Sequence, residues 1–237
     1  MKKVKTLILT DNSHAYKLAC ELEAIYGDIS IFQSPNGPLK GIQRLNIREQ
    51  ASEIISVYDL VVSIHCKQIF PSEFVNSIRC INVHPGLNPI NRGWFPQVFS
   101  IINGKPTGVT IHEMDDKLDH GPIIAQREVT IQPWDTGGSV YSKIMKLERE
   151  LVLERFVSIR EGSYTAIAPN DEGNLNFKND FNQLLHIDME QICSFRDFIN
   201  KLRALTHDGF RNAYFMSPEG KKVFVSVVLV PEEAKSD

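Results

Sequence analysis

The pattern of apolar and polar positions opens as strand, helix, strand. Val4 to Thr10 is a short β-rich run that stops at Asp11-Asn12, the signature of a buried parallel strand. From His14 to Ile25 the apolar positions Tyr16, Ala19, Cys20, Leu22 and Ile25 recur at helical spacing. Asp28 to Phe32 predicts a second strand, and Ser34 to Lys40, with two prolines and a glycine, a loop. A helix over Ile47–Val57, a strand over Leu60–Ile64, a short helix over Pro71–Ile78 and a strand over Cys80–His84 follow. Phe95–Ile102 predicts a helix. Thr107–Met114 and Ile123–Ile131 predict strands around the turn-rich stretch Asp115–Pro122. Val140, Ile144, Leu147 and Leu151 then form one stripe of a long helix reaching to about Arg160. Strands alternating with helices predict a mostly parallel, Rossmann-like α/β core.

The pattern changes after residue 162. Residues 163–237 hold short strand-like runs at Tyr164–Ile167, Leu175–Phe177, Asn212–Phe215 and Val223–Val230, with a helix over Met189–Leu205. We read 1–162 as the core and 163–237 as a small α+β appendage whose last residues, Pro231–Asp237, fray. Val223–Val230 is an apolar strand that would be an aggregation hazard as a bare edge. This predicts a homodimer through the carboxyl-terminal half.

Composition narrows the function classes. With 26 Lys+Arg against 29 Asp+Glu the net charge is −3, which argues against a broad nucleic-acid footprint. No apolar run approaches the length of a membrane span, and the basic opening is followed by too short an apolar stretch for a signal peptide. The four cysteines form no C-x-x-C pair, so reduced thiols in a cytoplasmic protein and no metal site are expected.

The candidate chemistry sits where the fourth core strand ends. In Ile81-Asn82-Val83-His84-Pro85-Gly86, Asn82 and His84 share a strand face, and Pro85 ends the strand. Ligands of open α/β sheets bind at this edge. Asn82 offers an amide N–H to a developing oxyanion, and His84 a base near neutral pH. A capping Asn and a core His satisfied by backbone would give the same local pattern. Asp119, in Met114 to Pro122, is a carboxylate suited to hold an imidazole; a solvated acidic turn reads the same way.

Taken together, Asn82 to Pro89, Arg92 to Pro96, Thr107 to His112 and Leu118 to Ile124 resemble the formyltransferase superfamily that uses N10-formyltetrahydrofolate. The resemblance covers about residues 60–160 in order and spacing. It implies Asn82, His84 and Asp119 as the catalytic set. It places the folate co-substrate against Cys66, Lys67, Gln68, Ile69 and Phe70, with Asp115, His120 and Gly121 across the turn. Within the superfamily the chain lacks a glycine-rich loop after the first strand, an amino-terminal regulatory domain and the added barrel of the tRNA-directed branch. It is most similar to short sugar N-formyltransferases acting on dTDP-linked 4-amino-4,6-dideoxyglucose or its 3-amino isomer, for O-antigen or other surface polysaccharide synthesis. His65 to Pro71, Gly86 to Gln97, and Leu202 to Thr206 with Asn212 to Phe215 carry that likeness. The implied contacts to the nucleotide-linked amino sugar are Arg92, Trp94, Gln97, Arg203, Asn212 and Tyr214. Arg203 and Arg211 are candidates for a donor fork on a diphosphate, and Trp94 and Tyr214 for flat faces; Tyr214 and Phe215 also suit a strand's core face. Other amines (a UDP-4-amino-arabinose, a methionyl-tRNA) or a non-catalytic binder on the same scaffold are the competing readings.

Overall fold

The computed structural model describes residues 3–232. Its first half alternates as β1 (Thr6–Leu9), α1 (Ser13–Tyr26), β2 (Ile29–Phe32), α2 (Ile47–Val57), β3 (Leu60–Ile64), α3 (Ser72–Val75) and β4 (Arg79–His84). Asn12 caps α1 by accepting from the backbone N–H groups of His14 and Ala15, and Gly27 ends it at positive φ. After β4 come β5 (Arg92–Gly93), α4 (Pro96–Asn103), β6 (Thr107–Glu113), β7 (Ile123–Val129) and the long α5 (Gly137–Glu161). A reciprocal Thr136–Ser139 capping box starts α5 and left-handed Gly162 ends it. The remainder is β8 (Leu175–Asn176), α6 (Lys178–Leu184), α7 (Phe195–Leu205), β9 (Tyr214–Met216) and β10 (Lys222–Phe224).

Six strands form one sheet in the order β2-β1-β3-β4-β6-β7. The first four are parallel, and β6 and β7 run antiparallel to their neighbours. Strand alternation sends Ile8, Val62, Ile81 and Val83 to one face, against α1, α4, α5 and α7. It sends Leu7, Leu9, Val61 and Cys80 to the other, against α2 and the α3 segment. Both faces are covered, so the strands read as continuous apolar runs. The carboxyl ends of β1, β3 and β4 meet at one edge of the sheet, where ligands of open α/β sheets bind.

The appendage departs most from the sequence expectation. It has no separate core: Phe181, Ile187, Leu202, Ala204, Leu205 and Ala213 join the same buried cluster as the sheet. Its entry segment crosses the open edge of the core, where β8 pairs in parallel with β5 and Asn174 and Asn176 carbonyls accept from Arg92 and Trp94 N–H groups. The helix expected from Met189 begins only at Phe195, because Ser194 caps it through the Asp197 N–H. Helix α6 was not foreseen. Of the strand expected over Val223–Val230 only Lys222–Phe224 pairs with β9. Val225 and Val227 then pack against the core, while Val228 and Val230 remain exposed. The Tyr164–Ile167 run is reduced to a single bridge with Ile123, and Leu175–Phe177 and Asn212–Phe215 to two- and three-residue strands. Short runs without long-range partners in sequence carry little register information. Residues 233–237 of the expected frayed tail, and the first two of the basic opening, lie outside the described residues.

Candidate active site

Strand β4 delivers Asn82 and His84 to the open edge, and the antiparallel register sets Asn82 opposite His112 and His84 opposite Thr110. The turn after β6 folds back so that Asp119, in a left-handed conformation, reaches both. Its Oδ1 accepts from Asn82 Nδ2 at 2.9 Å, and its Oδ2 accepts from the Gly93 N–H at 3.1 Å and lies 3.4 Å from His84 Nδ1. With Nδ1 facing a carboxylate, the Nδ1–H tautomer leaves Nε2 as a bare lone pair. That Nε2 is buried without a hydrogen-bond partner. A Cβ on Gly86 would lie 2.4 Å from it, so the glycine clears the space in front of the imidazole. His65, Asn91, Phe95 and Asp119, all with positive φ and none of them glycine, surround this edge; strain of this kind gathers at functional sites.

Electrostatics separate the two partners. Burial pulls His84 down to about 4, against the opposing pull of Asp119. The near-normal imidazole expected from sequence is therefore replaced by one held neutral at pH 7. Burial pushes the Asp119 carboxyl up, but His84, His112 and the Gly93 N–H outweigh it and hold it at about 2. The site at neutral pH is a neutral imidazole on an ionised carboxylate.

Asn82 is turned differently from the expectation. His112, buried at 2% exposure, has Nδ1 2.7 Å from the Glu113 carbonyl, so that nitrogen donates and Nε2 is the acceptor 3.2 Å from Asn82 Nδ2. Both amide N–H bonds are thus engaged, by Asp119 and His112, and flipping the amide would set its oxygen against the carboxylate. Asn82 presents an acceptor, Oδ1, rather than a free donor. His112 is the residue that sequence reasoning passed over. Its only signal was a polar side chain at an inward position of an apolar strand, and the register across to Asn82 is tertiary information.

The remaining candidates divide. Around the 65–71 segment the backbone is fixed from below: Asp11 accepts from the Lys67 N–H and from Ser34, and Gln68 bonds the backbone of Leu45 and Ile47. Cys66 lies beside Ser34, its thiol pushed up by burial. Phe70 belongs to the core, and Ile69 is exposed. Asp115 and His120 clamp the turn that carries Asp119 at 2.6 Å, and Gly121 is pressed so closely on the Glu113 carbonyl that a Cβ would lie 2.0 Å from it. Trp94 follows Gly93 directly, with Phe95 and the Lys178 ammonium against its ring, and Gln97 is buried in the first turn of α4. Of the expected diphosphate contacts, Arg211 is exposed over the Phe224 ring, while Arg92 and Arg203 are turned inward. Arg92 Nη1 donates to the Leu118 carbonyl. Arg203 gives Nη1 to the Gln132 and Asp135 carbonyls and Nε to Asn200. Asn212 donates to Leu205 O, and Tyr214 stacks on His186 and Phe224 under Lys222. Of these groups Arg203 ties the appendage to the core, while Asn212 and Tyr214 bond within the appendage.

A doubly covered sheet with a buried His–Asp pair and an Asn at its open edge defines a transferase-like site, and comparison with known proteins specifies it. A formyl transferase family model matches residues 43–156, and an N-formyltransferase dimerization C-terminal domain model matches 180–231. The chain is 60% identical over 227 residues to dTDP-4-amino-4,6-dideoxyglucose formyltransferase of Mycobacterium tuberculosis, covering 96% of this chain and 97% of that protein. It superposes on a crystal structure of a protein from M. tuberculosis described as a likely sugar N-formyltransferase, with TM-score 0.96 at 59% identity, covering 98% and 100% of the two chains. The corresponding values for a 4-N formyltransferase from Francisella tularensis are 0.89 and 39%, over 98% and 100%. The chain belongs to the sugar N-formyltransferase family and is an N-formyltransferase.

Proposed function

We propose that this chain transfers the formyl group of N10-formyltetrahydrofolate to the 4-amine of a dTDP-linked 4-amino-4,6-dideoxy sugar. The observation that carries the reading is the orphaned Nε2 of His84, backed by Asp119 and adjoining Asn82 at the open sheet edge. A buried lone pair without a partner is costly unless a ligand supplies the proton. Asn82 Oδ1 accepts an N–H of the incoming amine and aims its lone pair at the formyl carbon. His84 takes the proton that becomes acidic as the new C–N bond forms. An imidazole held at about 4 is a weak base, but it is a strong enough acid to return that proton to the departing N10 of the donor. Asp119 keeps the imidazole in the Nδ1–H tautomer throughout. The buried faces of Cys66 to Phe70 and of the clamped 115–121 turn flank this edge as the walls for the folate. Trp94 offers a flat face to the sugar-nucleotide.

The working unit is a homodimer. The outer side of α7 and its approach expose Ile192, Phe195 and Ile199, and the chain's last described strand continues into exposed Val228 and Val230. A monomer has no use for that apolar area in water, and a second copy would cover it. The unpaired cysteines suit a cytoplasmic protein; no described helix is long and apolar enough to cross a membrane.

The test is direct. Purified protein with the formyl-folate donor is offered dTDP-4-amino-4,6-dideoxyglucose, its 3-amino isomer and a UDP-4-amino sugar. The expected result is a product heavier by one formyl group, with the highest kcat/KM on the first. Preference for another amine would replace the substrate, and no transfer to any of them would remove the reading.

A further inference from the structure

Beside the catalytic pair lies a second imidazole–carboxylate pair that the mechanism above leaves idle. Ile64 of β3 and Val83 of β4 are register partners, so His65, the first residue beyond β3, lies level with His84, the last residue of β4, about 5 Å away at the backbone. A charge on His65 is felt at His84. The left-handed backbone of His65 turns its ring out of the strand's alternation. Its Nε2 meets Glu148 Oε2 of α5 at 2.8 Å, with the two side chains 11% and 2% exposed. The carboxylate fixes the tautomer with Nε2–H donating, which leaves Nδ1 as an acceptor. Glu148 in turn forms part of the wall of a cavity of about 410 Å³ between α1 and α5.

The stoichiometry of the reaction asks for such a pair. At neutral pH the sugar amine is an ammonium, since amines of this kind titrate near about 8. Forming its bond to the formyl carbon removes two protons from that nitrogen. Breaking the bond from the formyl carbon to N10 leaves the electron pair on N10, which takes up one proton. One proton must therefore leave the site in each turnover, and the His84 shuttle accounts only for the other.

We propose that His65 and Glu148 accept the first proton of the sugar ammonium and pass it to water in the α1–α5 cavity. This rests on the formyl-transfer reading above. Once His65 is protonated, the pair becomes an imidazolium against a carboxylate, and the negative charge that drew the proton is neutralised. The other titratable groups facing the pair are His84 from β4, Tyr141, Lys146 and the Arg149–Glu21 pair bordering the cavity, and His14 and Lys17 from α1. The ammonium groups of Lys17 and Lys146 on the cavity wall favour onward loss of the proton to solvent, because a further positive charge near them is repelled.

The test is the pH dependence of kcat/KM for the amino-sugar nucleotide in wild type, Glu148→Gln and His65→Asn. Glu148→Gln keeps the shape and an acceptor oxygen while removing the charge. The expected loss is at least tenfold at pH 6.5. It shrinks to within about twofold near pH 9, where the amine arrives already neutral, and the KM for the folate donor stays unchanged. A loss of the same size at every pH, or none, overturns the proposal and leaves a structural pair. If Glu148→Gln fails to fold, His65→Asn decides by the same profile. Wild-type protein inert toward every amino-sugar nucleotide overturns the functional reading itself, whereas wild-type turnover with a flat ratio overturns this proposal alone.

Discussion

The edge of β4 and the junction between the appendage and the core are both lined with buried polar side chains, and they treat them oppositely. At the junction Arg203 is satisfied at home, bonding two core carbonyls and Asn200. At the β4 edge His84 Nε2 has no partner, and Asn82 keeps an unengaged oxygen while its N–H bonds are taken. A satisfied buried polar group has done its thermodynamic work on folding. An unsatisfied one such as His84 Nε2 keeps bonding capacity that a ligand can take up. Residue type does not distinguish the two regions, since arginine, asparagine and tyrosine looked as ligand-like in one as histidine and asparagine did in the other.

The largest expected effects would break that comparison at the catalytic edge. His84→Ala should lower kcat by at least about a hundredfold with the protein still folded. Gly86→Ala, which puts a methyl against the His84 ring where Nε2 must meet its substrate, should match it in kcat and lower stability by about 1–3 kcal/mol through the clash. A Gly86→Ala enzyme with ordinary turnover would show that the space before His84 is not the reaction centre.

Acid should sharpen the contrast through stability. His84 is held neutral to about 4 in the folded protein, against about 6.5 when unfolded. The unfolded chain therefore binds more protons between those values, and stability falls as pH drops through 6.5 toward 4, by on the order of 3 kcal/mol from this group. Denaturant unfolding at pH 7, 5.5 and 4.5 should show the fall, and His84→Gln should flatten it.

The smallest effect belongs to the junction. Arg203→Met leaves the Gln132 and Asp135 carbonyls without their donor, which should cost about 1–3 kcal/mol of stability. The sugar-nucleotide KM at permissive temperature should stay within about twofold of wild type. A large KM increase in a fully stable protein would instead restore Arg203 as a ligand contact.

Local physics made much of this legible before any coordinates. The alternation from Val4 to His84 and the stripe from Val140 to Leu151 are nearest-neighbour properties, and the core elements follow them. Asn82 and His84 were visible because two polar residues two apart at the end of an apolar strand share one face. Their partnership with Asp119 was readable only through the family resemblance, since 35 residues separate Asp119 from His84.

What the sequence by itself determined is thus the layered α/β core and which side chains arrive at its open edge, because periodicity and chain breaks act over a few residues. The tertiary structure alone decided the atoms. It turned Asn82 into an acceptor by setting His112 across the sheet from it. It drained His84 of basicity by burying it, and it closed Arg92 and Arg203 over backbone carbonyls. Each of these depends on register, burial and hydrogen-bond satisfaction between segments distant in sequence, quantities that no local pattern encodes.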